Sequence, residues 1–441
     1  MRNILLFGAG KSATYLIDYL LANAVKHKWR LTVVDNDLLL IRSKLGKSFY
    51  ATAAAFDVKD AEKRQPLIRE ADLVISLLPP RLHIIVAKDC LRFSKHLLTA
   101  SYLGPEIKKL EKEIEKKGLL FMCEMGLDPG IDHMSAMKLI HSIKKKGGDI
   151  HVFKSFCGGL ILPEFNNNPW HYKVSWNPQS IVRAGASGAV FKEDGEIREI
   201  PYEELFSHTK PINVPRLGRL DYYPNRDSLR YMQLYKLDSA HTFMRATLRF
   251  PDFCQGWRAL VRLGLTDDEV KINTNNFSYL KWSGRHVKQD KKKLAEENIA
   301  NFLEVKQKSK VMKQLRYLGL MNNERISQGE KTSAAVLQSV LEDKLQMLPQ
   351  DQDMIVMQHQ ISFERRHLST GMISYMIVTG ENNIHTAMAK TVGLPIGILT
   401  KLILTGKVRL TGLHIPILPE VYNPVLKELE EYGIRFEERF E

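Results

Sequence analysis

The stretch "ILLFGAGKSATYLIDYL", residues 4–20, decides the fold. An apolar run ends on Gly8, and Gly10 and Ala13 follow before an amphipathic segment begins. This is G-x-G-x-x-A between a strand and a helix. The first glycine permits a tight turn, the second lets the backbone approach a pyrophosphate, and the small third residue lets helix and strand pack closely. The helix N-terminus offers free N–H groups and a partial positive charge to the phosphates. Gly8, Ala9, Gly10, Lys11, Ser12 and Ala13 are therefore the candidate cofactor loop. It is not a Walker A loop, whose G-x-x-x-x-G-K-[ST] spacing is absent. Glycine turns also serve structural strand–helix junctions, so context decides. A second apolar strand, "RLTVVD" (30–35), ends on Asp35, where a carboxylate can hold a ribose 2′-hydroxyl. A carboxylate there repels a 2′-phosphate, which favours NAD over NADP; Arg42 and Lys44 nearby soften that preference.

Outward from this motif, short apolar runs alternate with amphipathic segments over about the first 125 residues, the pattern of βαβ units and a parallel sheet. The expected strands are 3–8, 30–35, 73–79, 96–101 and 119–124, with helices near 11–25, 60–70, 83–93 and 105–117. From about residue 150 the pattern changes. "HVFKSFCGG", "TFMRATLRF" (242–250), "DMIVMQHQISFE" (353–364) and "GMISYMIVTG" (371–380) read as strands, the last two as a hairpin. Residues 252–346 read as mainly helical, with "AAVLQSVLEDKLQ" (334–346) the cleanest amphipathic stretch. The expected fold is α/β. A Rossmann-like domain spans 1–127, a mixed α/β domain spans 128–253 and 347–384, and a helical insertion spans 254–346. Near the C-terminus two short helices are expected, the second starting at Pro395, and residues 385–441 are expected to pack back on the first domain.

Composition narrows the class. A chain of 441 residues is too long for one ordinary core, and 44% apolar with 26% charged residues suits a globular protein. No apolar run reaches the ~18–20 residues that span a bilayer, and the N-terminal apolar run reads as a buried strand rather than a signal peptide. The cysteines Cys90, Cys123, Cys157 and Cys254 show no metal-ligand spacing. They suit a reducing, cytoplasmic setting with no metal site. The net charge of +14 is spread over segments such as "EIKKLEKEIEKK" (106–117), where acids and bases interleave. Such segments are solvated helix faces, so neither nucleic acid nor membrane is an expected partner.

Several polar clusters lie beyond the loop: "TASYLGPE" (99–106), "GLDPGIDH" (126–133), "SFCGGLILPEFNNNPWHYKVSWNP" (155–178), "YYPNRDS" (222–228) and "MRATLRF" (244–250). Their order and wording resemble the glutamate-forming saccharopine dehydrogenase (saccharopine reductase) family over essentially the whole chain, most strongly over 96–250. The resemblance implies a Rossmann-like domain, a mixed substrate and dimerisation domain, an all-helical third domain and a homodimer. It implies oxidation of saccharopine at the carbon beside its secondary amine, with hydride passing to NAD or NADP. Water then adds to the imine, releasing glutamate and 2-aminoadipate 6-semialdehyde; the reverse reaction is a reductive condensation.

The resemblance also assigns roles. Saccharopine carries three carboxylates, and a guanidinium takes a carboxylate bidentately. Arg226 and Arg249 match substrate-binding positions, although each has an acid nearby in sequence, Asp227 and Asp252. Thr247 fits as a hydroxyl donor, and Ser101 and Tyr102 end a strand where open α/β sheets bind ligands. Asp128, Tyr102 and Cys157 are the candidates for managing protons. Leu78, Pro79, Asp57, Val58, Leu127, Ser175 and Trp176 are expected to line the cofactor. Within "GLDPGIDH", Asp128 reads as both the helix N-cap and a catalytic acid, with the helix starting at Pro129. Asp132 reads as a first-turn acid complementing the dipole, and His133 as structural.

Two alternatives have their own signatures. A carboxynorspermidine-type dehydrogenase would favour acids where Arg226 and Arg249 stand, because its substrate has fewer carboxylates and more amines. A non-catalytic nucleotide-binding scaffold would be expected to lack Asp128 or the arginines, and all three are present.

Overall fold

A computed structural model describes residues 1–440, which form two compact units. The first comprises residues 1–148 and 380–436; the second comprises 149–379 and the terminal strand Glu437–Phe440.

The first unit is built on a seven-stranded, wholly parallel sheet. Its order is Gly412–His414, Leu120–Met122, His96–Thr99, Leu73–Ser76, Arg2–Phe7, Trp29–Asp35 and Ala51–Ala55. Ile4–Phe7 and Leu73–Ser76 are almost wholly buried, as expected of strands covered on both faces. Strand order reverses between Arg2–Phe7 and Leu73–Ser76, the crevice where such sheets bind ligands. The strand Ala51–Ala55 was not expected. Its alanine-rich sequence carries little β-propensity, and pairing with Trp29–Asp35 holds it in place.

The C-terminal segment completes this unit by adding the edge strand Gly412–His414. The two helices expected around Pro395 are one helix, Ala387–Leu404, running through the proline. Proline removes one intrahelical donor, and packing against Thr14–His27 outweighs that loss. Read as one element, this helix is long and apolar enough to cross a membrane, which the split reading had missed. Two-thirds of it is buried inside the protein, which accounts for its apolarity. The unit also extends to Gly148 instead of ending at residue 127. The helix Ile131–Lys145 packs on Pro419–Leu429, where His141 Nδ1 lies 2.7 Å from Tyr422 Oη.

The second unit is a ten-stranded mixed sheet. Its main path runs Lys210–Val214, Gly218–Pro224, Thr242–Arg249, Asp149–Ile161, Asp353–Arg365, Leu368–Thr379 and Glu437–Phe440. Thr242–Arg249 and Asp149–Ile161 pair in parallel, and the expected hairpin forms between Asp353–Arg365 and Leu368–Thr379. One face alternates apolar side chains such as Phe156, Val356, Ala246 and Leu248, following the two-residue strand period. The expected all-helical insertion is not a body of its own. Its helices Pro251–Arg262, Lys310–Tyr317 and Ser333–Lys344 bring Trp257, Leu315 and Leu337 into the same core as that face. It also contains a small antiparallel pair, Lys271–Asn273 with Glu330–Thr332.

Candidate active site

In the first unit the glycine loop closes the strand Arg2–Phe7. Gly8 has φ +101°, and a Cβ there would lie 2.8 Å from the Leu77 carbonyl oxygen, so only glycine fits. A Cβ at Gly10 would meet nothing within 4 Å, leaving room for a phosphate against the backbone. A short turn, Lys11–Ala13, leads into the helix Thr14–His27, and Ala13 is buried against the sheet. Asp35 braces the loop: its Oδ2 accepts from the Ala9 N–H at 2.7 Å and its Oδ1 from the Asn36 N–H at 2.7 Å. Beside it, Asp37 caps the helix Leu38–Leu45 by accepting from Leu39 and Leu40.

Lys44 does not reach outward. Its Nζ donates to Gly10 O at 2.6 Å and Thr14 Oγ1 at 2.9 Å. Burial pulls its pKa down to about 8, against the pull of Asp18 and Asp35. Asp57 follows the strand Ala51–Ala55 and accepts from the Lys59 N–H, while Val58 is buried and its carbonyl takes the Arg64 guanidinium. Leu78 and Pro79 follow Leu73–Ser76, with Pro79 preceding the short turn Pro80–Leu82. Gly8, Asp35, Leu78 and Ser101 thus lie just at or beyond the carboxyl ends of four parallel strands. The open backbone at Gly10 and the carboxylate at the end of the second strand fit a dinucleotide.

Tyr102 and Asp128 come together: the Tyr102 hydroxyl donates to Asp128 Oδ1 at 3.1 Å. Ser101 is reached by a residue that sequence reasoning missed, His83. Ser76 Oγ lies 2.8 Å from His83 Nδ1, and His83 Nε2 lies 2.8 Å from Ser101 Oγ. Burial lowers the His83 pKa to about 4, so the imidazole is neutral near pH 7. The signal was a polar residue in an apolar strand, Ser76, with a histidine at the start of the next helix.

The turn at Asp128 differs from expectation. The helix begins at Ile131 with Gly130 as N-cap, so Asp128 is not the cap. The tight turn takes that place, with the Gly126 N–H donating to Pro129 O and the Ile131 N–H to Gly126 O. Gly130 has φ +149°, and a Cβ there would lie 2.0 Å from the Gly126 carbonyl oxygen. Asp132 does more than complement a dipole, since its Oδ1 accepts from the Gly130 N–H at 2.6 Å. His133 lies wholly buried, 2.8 Å from Glu124 Oε2.

In the second unit, Cys157 is a buried strand residue directly beside Thr247, which in turn lies beside Tyr223. Arg226 is exposed, with φ +54°, on a two-residue strand beside Ala189. Asp227 spends its carboxylate capping the next helix, accepting from the Leu229 N–H at 2.8 Å. Arg249 is only 4% exposed. It donates from one terminal nitrogen to Leu248 O and lies over the rings of Phe253 and Tyr172, at 5.2 and 5.6 Å from their centroids. Its Nε has no hydrogen-bond partner among the described residues. Asp252, its neighbour in sequence, instead pairs with Lys310 at 3.0 Å and His171 at 3.2 Å. Ser175 is buried, and the Trp176 indole donates to Tyr172 Oη at 3.0 Å. A buried ion pair of 2.6 Å between Lys173 and Asp351 pins this segment.

Fold and loop together define a dinucleotide-binding protein of the Rossmann type, coupled to a mixed-sheet unit that carries arginines and a cysteine. Residues 4–122 match the saccharopine dehydrogenase NADP binding domain, and residues 126–434 match the saccharopine dehydrogenase C-terminal domain. The chain belongs to the saccharopine dehydrogenase family. It is 33% identical to the saccharopine dehydrogenase [NADP(+), L-glutamate-forming] of Saccharomyces cerevisiae, over 99% of both chains. It is equally identical, at 33%, to the mitochondrial alpha-aminoadipic semialdehyde synthase of Bos taurus, of which the matched region spans 47%. The solved apo saccharopine dehydrogenase (L-Glu forming) from Saccharomyces cerevisiae matches with a TM-score of 0.86 over 100% of both chains, at 32% identity. The yeast relative's name carries NADP(+), so the NAD preference read from Asp35 draws no support from it.

Proposed function

We propose that this chain catalyses the NAD(P)-dependent oxidative cleavage of saccharopine to glutamate and 2-aminoadipate 6-semialdehyde, or the reverse condensation. The carrying observation is the Tyr102–Asp128 hydrogen bond beyond the carboxyl ends of the cofactor-binding sheet, in a chain matched end to end by this family. The nicotinamide, when bound, accepts the hydride from the carbon beside the substrate amine. The chain's own residues handle charge and protons. Asp128, acting with the Tyr102 hydroxyl, takes the amine proton, and Cys157 serves as a further proton carrier. Arg226 and Arg249 hold substrate carboxylates, with Thr247 and Ser101 as hydroxyl partners. Arg249 suits this role because its charge is buried with no ion pair to an acid among the described residues, and its Nε lacks a hydrogen-bond partner there.

The glycine loop, Leu78, Pro79, Asp57, Val58 and Leu127 hold the cofactor, with Ser175 and Trp176 on the nicotinamide side. NAD is the preferred form, in contrast to the NADP(+) of the yeast relative's name. Two carboxylates, Asp35 and Asp37, stand where a 2′-phosphate would be repelled, and Lys44 is turned into the loop. The test follows absorbance at the NADH band with saccharopine and each cofactor. Turnover with saccharopine and a higher kcat/KM for NAD are expected. Turnover only with a different amine-linked amino acid would overturn the substrate assignment, and a higher kcat/KM for NADP would overturn the cofactor assignment.

A further inference from the structure

Behind the Tyr102–Asp128 pair lies a cluster that the reaction itself does not use. Glu124, His133 and Asp132 are 0%, 0% and 2% exposed. Glu124 has φ +59°, unusual for a residue with a side chain. It holds the Tyr102 loop from both sides: its N–H donates to Ser101 O at 3.0 Å, and its Oε1 accepts from the Leu103 N–H at 2.9 Å. Its second oxygen, Oε2, lies 2.8 Å from His133 Nε2. The other ring nitrogen of His133 faces Asp132 Oδ2 at 3.6 Å. Asp132 grips the second loop from both sides in the same way: its N–H donates to Leu127 O at 3.0 Å and its Oδ1 accepts from the Gly130 N–H at 2.6 Å.

A polar chain thus runs from the peptides flanking Tyr102 to those flanking Asp128. Burying two carboxylates and an imidazole is expensive, and apolar replacements would avoid that cost only by leaving the Leu103 and Gly130 N–H groups without acceptors. What apolar residues would not supply is a directional link that sets the distance between the two loops. A misplacement of about 1 Å in a reacting group costs on the order of a hundredfold in rate.

We propose that Glu124, His133 and Asp132 form a positioning brace that sets the Tyr102–Asp128 pair in reacting geometry. The brace touches neither substrate nor cofactor and acts through these two residues. It rests on the proposed reaction for its role, but its geometry can be tested without any substrate.

The experiment has two arms. The first is a double-mutant cycle on turnover with saccharopine. Glu124→Gln and His133→Asn should each lower kcat about tenfold, with KM and dinucleotide affinity changed less than about threefold. In an Asp128→Asn background the same substitutions should lower kcat less than about twofold, because the group they position is already lost. Equal losses in both backgrounds would assign the cluster a general structural role and overturn the proposal. The second arm follows amide hydrogen exchange in the ligand-free protein. In His133→Asn, the Leu103 and Gly130 amides should exchange at least tenfold faster, while those of Leu73–Ser76 keep their wild-type rates. Unchanged Leu103 and Gly130 rates, or a uniform rise that includes Leu73–Ser76, would also overturn it. Wild-type turnover reports separately on the substrate. If the wild type acts only on another amine-linked amino acid, the function reading fails and the same cycle is run on that substrate.

Discussion

The two units hold their charged site residues by opposite means. In the first, Asp35, Asp128, Asp132 and Glu124 each meet a donor from their own unit, at distances between 2.6 and 3.1 Å. In the second, Arg249 is buried over aromatic faces with one carbonyl and, among the described residues, no acid. The first arrangement sets geometry before any ligand arrives. The second leaves a positive charge that aromatic faces stabilise only in part, by about 0.5–2 kcal/mol. A polar site completed from within should therefore be sensitive to pH and to isosteric change. A buried cation lacking an acid should instead be sensitive to loss of its ligand.

The largest effect expected on that contrast is in acid. The folded-state pKa of His83 is about 4, below its ordinary 6.5, because burial disfavours the imidazolium. The unfolded chain therefore binds the extra proton first. Stability from this group is full above pH 6.5 and is lost as pH falls from 6.5 to about 4, a change of about 3 kcal/mol. Denaturant midpoints taken between pH 7 and 4 should show this slope, and His83→Gln should flatten it. A slope unchanged in the variant would separate His83 from acid sensitivity.

Asp128→Asn comes next, lowering kcat tenfold or more while cofactor affinity barely moves; wild-type turnover would remove Asp128 from the chemistry. Arg249→Met should raise KM for saccharopine about tenfold without lowering the unfolding free energy, since it replaces an acid-less buried cation by an apolar chain. A loss above about 3 kcal/mol in denaturant unfolding would make Arg249 a structural cation and dissolve the contrast between the units. Smallest is Arg226→Lys. It keeps charge but loses the planar fork, so KM should rise only severalfold, at unchanged kcat.

Much of the first unit was legible because its signals are local. A glycine loop after an apolar run, and a second run ending on an acid, need no tertiary context. The hairpin Asp353–Arg365 with Leu368–Thr379 was equally plain from its alternation. What escaped were features decided by packing. Ala51–Ala55 is a strand because Trp29–Asp35 offers it an edge, and Ala387–Leu404 continues through Pro395 because Thr14–His27 supports it. The helical insertion looked separable because a helix pattern does not reveal which sheet face it covers. In the site, "GLDPGIDH" announced a polar turn, but the cap moved from Asp128 to Gly130 because the turn folds on Gly126. Glu124 looks ordinary in sequence, and only Ser76 in an apolar strand pointed to His83. Their meaning lies in the partners that folding brings to them.

The edge strand Gly412–His414 carries a consequence for synthesis. It pairs with Leu120–Met122, but residues 149–379, all of the mixed-sheet unit except its terminal strand, lie between them in the chain. A ribosome making this protein therefore delivers the last strand of the dinucleotide-binding sheet only after residues 149–379 of the second unit have emerged. Until then Leu120–Met122, the strand that leads into Glu124 and Asp128, is an open edge able to pair with other chains. The nascent cofactor unit has to wait, with that edge bare, for a segment encoded after residues 149–379.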